Sequence, residues 1–461
     1  MAVERLPHRR LAHARRRPGW LFLACASVVI CCMLVRRAYA GDELLHYVTQ
    51  ADSSYAVRPI RTGQLGGADY LEAILTSQTW RGIVWKHQLF VVRPRHLRVP
   101  TTQALLFIDG GSWEPEYETA TTQAPPRKAR IFVRLANALR TPVAIVRQVP
   151  FEPLFDGRRE DALIAYTFEQ YLDTGDPDWP LLLPMVKSAA RAMDAVQQLA
   201  NQQWGLSLTR FIVTGTSKRG WTAWLTAAVD PRVGGVAPMV IDMLNIREQI
   251  QLQRQTFGGL SDQIKDYEQI RLPERIDSPT GRELVSIVDP YSYRERLTQP
   301  KLILLGTNDP YWPVDALNVY WAGLPEEKRV LYVPNQTHDL QDVGRLIGSI
   351  AALNRYSERG KPLPQISGVL AQHDDRLELA VHTDQKPTRV LAWSATSATR
   401  DFRHAHWSSH GCRRAGDSYE CQVRTADNTH TALYAEAFFH ERGEPNFSLS
   451  TTVHISRDTK L

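Results

Sequence analysis

The sequence predicts an α/β fold, with a mostly parallel central sheet covered by helices on both faces, followed by a smaller all-β domain. Three observations support this prediction. Short runs of apolar, β-branched residues alternate with helix-compatible runs up to about residue 335, which is typical of a parallel sheet buried on both sides. After about residue 360 the chain changes to a period-2 alternation of apolar and polar residues. A length of 461 residues also favours two domains over one.

The first domain is predicted to span residues 41–360 and begins with a β-hairpin. Buried strands and amphipathic helices then follow in turn. The predicted hairpin covers 80–85 and 87–93, the strands 103–108, 142–149, 211–213, 235–241, 301–305 and 329–333, and the helices 128–140, 185–199 and 221–229.

Two long segments interrupt this alternation. Residues 151–183 are rich in aromatic and acidic side chains, and residues 244–299 are predicted to be helical. Connections of this length inside a compact domain are usually functional lids or walls. We therefore expect both insertions to rise from the edge of the sheet where the strands end.

Residues 1–40 have the composition of an export segment. They contain eight arginines and one glutamate, and an uncharged stretch at 19–35 follows the first arginines. The tripeptide Ala38-Tyr39-Ala40 offers a cleavage site, whereas Arg36-Arg37 before it leaves an uncleaved signal anchor open. Both alternatives place the folded part outside the cytoplasm, periplasmic or secreted, with membrane contact only through this segment if it is retained.

The net charge of +6 arises from that segment, since the remaining chain is near −1. No basic surface for nucleic acid is therefore implied. The sequence shows no cofactor motif and no metal-ligand cluster, so we expect neither, and we expect the partner to be a small-molecule or peptide substrate.

The second domain, residues 361–461, is predicted to be a β-sandwich resembling immunoglobulin or fibronectin domains. Cys412 and Cys421 lie in it and are the only cysteines outside the export segment. Two cysteines a short loop apart in an exported chain are expected to form a disulfide.

The segment Gly215-Thr216-Ser217-Lys218-Arg219-Gly220 ends one predicted strand and begins a helix. A serine at such a corner is typical of a nucleophile elbow, in which small flanking residues allow a strained turn. The usual spacing is G-x-S-x-G, whereas here the second glycine comes one residue later. The alternative role for Ser217 is that of a helix cap.

Two further strands end in the residue types that such a serine needs. Asp309 follows the strand at 301–305, and His338 follows the strand at 329–333. The chain order Ser217, Asp309, His338 is that of α/β-hydrolases, in which the histidine is the base and the aspartate orients it. Asp242 and Asp315 are alternative acids. The sequence therefore predicts an α/β-hydrolase domain with a serine triad.

An oxyanion hole requires two backbone N–H groups, one of them from the residue after the nucleophile. Lys218 supplies that group, and Gly111 or Ser112, after the strand at 103–108, supplies the other. The charged side chains of Lys218 and Arg219 have two possible roles: contact with an anion, or a salt bridge.

The first insertion contributes the remaining candidates for substrate binding, which are Glu160, Asp161 and Trp179. Adjacent carboxylates near a triad can bind a cationic amine such as a peptide N-terminus. The alternative is that both acids stabilise the start of a helix at 162–171, where they match the helix dipole.

Several motifs resemble the PhoPQ-activated pathogenicity-related proteins. They are residues 76–87, residues 160–166, Ser217-Lys218-Arg219-Gly220-Trp221 and Asp230-Pro231-Arg232-Val233. The resemblance extends from about residue 45 to the C-terminus and implies an exported bacterial α/β-hydrolase-like protein, without implying a substrate.

Three functions are consistent with the sequence. They are a serine hydrolase acting on an ester or amide, a peptidase related to dipeptidyl peptidases, and a binding or signalling protein that retains the hydrolase scaffold without turnover.

Overall fold

The structure is a computed structural model and describes residues 1–2, 43–118, 129–425 and 428–456. The predicted export segment, apart from its first two residues, lies outside these ranges. Within them, no helix combines the length and the apolar character needed to cross a membrane.

Three antiparallel strands open the main sheet: β1 (Ala56–Leu65), β2 (Ala68–Trp80) and β3 (Ile83–Arg93). The sequence predicted a hairpin with arms at 80–85 and 87–93, but residues 83–93 form one continuous strand, so the predicted turn between the arms is wrong. The actual hairpin turns at Arg81-Gly82, where both residues have positive φ. The arm of this hairpin before residue 80 and the whole of β1 were not predicted. Many of the β1 positions are exposed, so β1 lacks the apolar run on which the prediction relied.

The central sheet continues in the order β3-β5-β4-β6-β7-β8-β9. Strand β5 is antiparallel to β3, and all later neighbours in this order are parallel. This arrangement is the α/β-hydrolase fold predicted from the sequence. The strands are β4 (Gln103–Ile108), β5 (Val143–Val146), β6 (Arg210–Thr216), β7 (Val233–Met239), β8 (Lys301–Gly306) and β9 (Lys328–Val333).

Alternate strand residues enter two separate cores, one on each face of the sheet. In β6, for example, Val213 packs into one core and Ile212 into the other. The period of two therefore places helices on both sides, as predicted. The helices of the domain outside the two insertions are α1 (Glu43–Thr49), α2 (Ala129–Leu139), α4 (Leu182–Trp204), α5 (Lys218–Val229), α10 (Asn318–Trp321) and α11 (Val343–Glu358).

Both insertions contain helices. The first holds α3 (Glu160–Thr174). The second holds α6 (Ile246–Phe257), α7 (Lys265–Gln269), α8 (Leu272–Arg275) and α9 (Pro279–Val288).

The C-terminal region is all-β and forms two sheets. One of them joins the main sheet, because Ser450 in β17 pairs with Val330 in β9. The other has the order β10-β11-β15-β14, and the predicted disulfide between Cys412 and Cys421 is present at its edge. The strands are β10 (Ile366–Gln372), β11 (Arg376–Thr383), β12 (Arg389–Ser397), β13 (Ser408–Gly411), β14 (Arg413–Ala415), β15 (Ser418–Arg424), β16 (His430–Phe439), β17 (Phe447–Ser450) and β18 (His454–Ile455).

Candidate active site

Ser217 occupies the turn between β6 and α5 and has a strained backbone, with φ 57° and ψ −129°. A Cβ atom on Gly215 would lie 2.6 Å from the Arg219 carbonyl oxygen, and one on Gly220 would lie 2.8 Å from the side chain of Ile241. Both flanking positions therefore require glycine. The shifted second glycine is thus compatible with a tight elbow. Ser217 makes no side-chain cap hydrogen bond to the helix.

His338 and Asp309 are in direct contact. The imidazole Nδ1–H donates to Asp309 Oδ2 at 2.9 Å, and a carboxylate can only accept here. The backbone N–H of Tyr311 donates to Asp309 Oδ1 at 2.9 Å. The Tyr311 ring also stacks on the imidazole with centroids 4.1 Å apart. The acid and the ring together fix the orientation of His338.

The other imidazole nitrogen, Nε2, is buried and has no hydrogen-bond partner among the described residues. His338 and Ser217 line the same cavity of about 90 Å³. The fold thus brings the three predicted triad residues to one edge of the sheet, with one imidazole nitrogen held by Asp309 and the other unpartnered.

The two alternative acids have other partners. Asp242 accepts a hydrogen bond of 2.6 Å from the hydroxyl of Tyr320. Burial, together with the negative charges of Asp309 and Asp315, raises the pKa of Asp242 to about 8, although the Tyr320 hydrogen bond acts to lower it. Asp315 forms an ion pair of 2.7 Å with Arg400.

The two predicted oxyanion donors lie after neighbouring strands. Ile108 at the end of β4 pairs with Gly215 of β6, so the loop holding Gly111 begins beside the elbow. Gly111 has a φ of 107°, and Lys218 is the first residue of α5. The side chain of Ser112, the alternative donor residue, accepts a hydrogen bond from Arg159.

The four charged candidates form one ion-pair cluster. Lys218 Nζ lies 2.7 Å from Glu160 Oε2 and 3.0 Å from Asp161 Oδ2. Arg219 donates to both oxygens of Glu160, at 2.8 and 2.9 Å. Although burial acts to raise the pKa of Glu160, the hydrogen bonds and charges of Arg219 and Lys218 lower it. Of the two possible roles considered for Lys218 and Arg219, the structure shows the salt bridge.

Trp179 does not line the cavity of Ser217. It packs against Phe155, Tyr166 and Trp80, and the guanidinium of Arg81 lies 3.6 Å above its ring. This aromatic cluster supports the first insertion.

The cavity is mainly apolar. It lies between the elbow, the acid loop and the helices of the second insertion. It is lined by Asp161, Ser217, Lys218, Trp221, Ile241, Met243, Ile246, Gln249, Ile250, Gln253, Leu260, Ile264, Tyr267, Pro273, Tyr311, Trp312 and His338.

A loop of the C-terminal region contacts both loops that carry the acid and the histidine, and sequence reasoning missed this. Asn308 Nδ2 donates to the carbonyl oxygens of Ala405 at 2.7 Å and Arg403 at 3.2 Å. Asn335 exchanges two hydrogen bonds with the backbone of Trp407, of 2.8 and 2.9 Å. The only sequence signal was an asparagine near each of the two triad residues.

In the part of the chain that the structure describes, no group of three or more histidine, cysteine or acidic side chains could hold a metal ion.

The chain is 31% identical over 353 residues to autocrine proliferation repressor protein A of Dictyostelium discoideum, covering 71% of this chain and 69% of that protein. It also resembles acetyl xylan esterase 1 from Thermoanaerobacterium sp. (14% identity, TM-score 0.45, 69% of this chain and 92% of the other). An S-formylglutathione hydrolase from Agrobacterium tumefaciens shows 13% identity and a TM-score of 0.43, over 66% of this chain and 99% of that one.

A family model matches residues 44–403, which include the elbow, the acid loop and the histidine loop. The chain therefore belongs to the PhoPQ-activated pathogenicity-related protein family.

Proposed function

We propose that this protein is an exported serine hydrolase of the cell envelope that cleaves an ester or amide with Ser217, His338 and Asp309. The backbone of Ser217 is the observation that carries the proposal. A non-glycine residue at φ 57° and ψ −129° costs on the order of 1–3 kcal/mol, and such strain is concentrated at functional sites. A serine that only capped a helix would not require this backbone strain.

The chemistry follows from the contacts. His338 Nε2 takes the proton of Ser217 Oγ as the oxygen attacks the acyl carbon, and then gives that proton to the leaving group. Asp309 holds Nδ1–H and stabilises the imidazolium. The N–H groups of Lys218 and Gly111 stabilise the oxyanion. Water then attacks the acyl-serine, again with His338 as base, and releases the acid.

The cavity favours a small, uncharged acyl group. Its volume of about 90 Å³ is below the roughly 150 Å³ of an apolar cavity that holds benzene. The two charged side chains on its wall, Asp161 and Lys218, are paired with each other, so they offer no net charge to a substrate. A free peptide amine therefore fits this site less well than a short ester does.

The composition of residues 1–40 supports export, and the disulfide between Cys412 and Cys421 is consistent with an oxidising compartment. A reporter fusion that stays in the cytoplasm would contradict this part of the proposal.

Labelling with a fluorophosphonate probe tests the nucleophile. The parent protein and a Ser367→Ala control, changed at an exposed position in β10, are expected to label, whereas Ser217→Ala is not. Short p-nitrophenyl esters should be hydrolysed faster than long-chain esters. Equal labelling of Ser217→Ala and the parent protein would refute the assignment.

A second candidate is a signalling protein without turnover, which the name of the Dictyostelium relative favours. Failure of the parent protein to label with the probe, in a folded preparation, would support this candidate over the hydrolase.

A further inference from the structure

A second cavity, of about 480 Å³, lies at the tip of the β2–β3 hairpin. Its walls include Thr79, Trp80 and Arg81, from the family motif at residues 76–87, which the proposed hydrolysis does not use. It has no lining residue in common with the cavity of Ser217. Helices α1 and α4 contribute Tyr47 and Lys187.

Lys187 is the unusual residue of this cavity. Its exposed fraction is only 4%, and its ammonium group has no hydrogen bond or ion pair with any residue that the structure describes. The Tyr47 ring, 5.1 Å away, is its cation–π contact. Arg81, the other cation of the cavity, is already paired with Asp176 at 3.0 Å. The ammonium is not sealed from solvent but faces the cavity, where its three N–H donors are available to a ligand.

Two carboxylates face the same cavity. Asp52 is held in place by hydrogen bonds from the backbone of Ser54 and Thr79, both 2.9 Å, and Asp178 is exposed. Neither acid lies within ion-pair distance, 4.0 Å, of Lys187. A ligand with several negative charges would be repelled by these acids. A ligand with one carboxylate and one ammonium group can pair with the ammonium of Lys187 and with a carboxylate of the cavity at the same time.

We propose that this cavity binds a zwitterion of the size of an amino acid. Lys187 receives the carboxylate and Asp52 receives the ammonium group, in a cavity whose wall also includes the Tyr47 ring. The site is separate from the triad and does not depend on its activity.

Calorimetric titration of the full-length protein tests this with the standard L-amino acids, followed by matched analogues of leucine as an apolar representative. 4-Methylpentanoate lacks the ammonium group, and 3-methylbutylamine lacks the carboxylate. We expect leucine to bind saturably and each analogue to bind at least tenfold more weakly. Lys187→Met should abolish leucine binding. Asp52→Asn should weaken leucine binding at least tenfold without weakening 4-methylpentanoate binding, since the variant removes a negative charge that repels a carboxylate. Ser217→Ala should bind leucine like the parent protein.

Absence of saturable binding by every amino acid at millimolar concentration would overturn the proposal. So would unchanged leucine binding in Lys187→Met, or tighter binding of 4-methylpentanoate than of leucine. If Lys187→Met fails to fold, Asp52→Asn decides alone. Its single oxygen can still accept from the Thr79 amide, although the hydrogen bond from the Ser54 amide to the other oxygen is lost.

Discussion

The guanidinium of Arg219 and the carboxylate of Glu160 form a bidentate pair, with hydrogen bonds of 2.8 and 2.9 Å. Both residues adjoin the candidate active site, since Arg219 is two residues after Ser217 and Glu160 begins α3. Lys218 completes the cluster at 2.7 Å from Glu160. Two cations thus neutralise two adjacent acids, and this argues against a clamp for a substrate amine.

Glu160→Gln tests this interpretation. The variant leaves Arg219 and Lys218 short of an anion. Breaking a buried pair costs about 3–5 kcal/mol, but 45% of the Glu160 side chain is exposed, so we expect about 1–2 kcal/mol in the free energy of unfolding. The lowered pKa means that this stabilisation is complete above the ordinary glutamate pKa and is lost as pH falls through the folded-state pKa.

Kinetics separate the two roles of Glu160. We expect Glu160→Gln to change kcat/KM by the same factor on free-amine substrates and on their acetylated analogues. A selective loss on free-amine substrates would restore the amine clamp, and a stability difference that persisted in strong acid would contradict the ion-pair explanation.

Much of the hydrolase domain could be predicted, because each central strand is a continuous apolar run and each residue of the proposed triad follows such a run. Ser217, Asp309 and His338 were found in this way. Strand β1 was missed because an edge strand with exposed positions lacks that signal. Most of β2 was missed for a different reason: the strand is largely buried, but polar residues such as Glu72 and Gln78 interrupt its apolar run. The ion pairs of Glu160 and the contacts of Asn308 join distant parts of the chain, so no local pattern could reveal them.

Ser217→Gly is expected to unfold at a higher temperature than Ser217→Ala. Glycine adopts positive φ without the cost that a Cβ atom brings, although it gives the unfolded chain more freedom. We expect a net gain of about 1 kcal/mol over alanine. Thermal unfolding of both inactive variants measures it. A glycine variant that is less stable than alanine would show that the turn stores no strain.

The C-terminal loop is expected to position the acid and the base. Asn308→Ala removes donors to the carbonyls of Ala405 and Arg403, and we expect kcat to fall about 10–100-fold as Asp309 loses its support. Asn318→Ala is the matched control, since Asn318 donates to the carbonyl of Val453 away from the triad. Both variants should lose about 1–2 kcal/mol of stability. Equal kcat values for the two variants would show that the loop has only a structural role.

Stability should also depend on pH through Asp242. Burial raises its pKa to about 8, against an ordinary value of 3.8. Between these values the folded protein holds a proton that the unfolded chain has released, so the free energy of unfolding falls as pH rises. The loss is fully developed above the folded-state pKa and absent below 3.8.

Asp242→Asn removes this dependence, because asparagine stays neutral and its oxygen can still accept from Tyr320. We expect the variant and the parent protein to have similar stability near pH 4, with the variant gaining steadily up to about pH 8. The gain is limited to about 1.4 kcal/mol for each pH unit. Denaturant unfolding across this range measures it, with Asp417→Asn as a control at an exposed acid. A constant difference between Asp242→Asn and the parent protein would mean that Asp242 is ionised in the folded state.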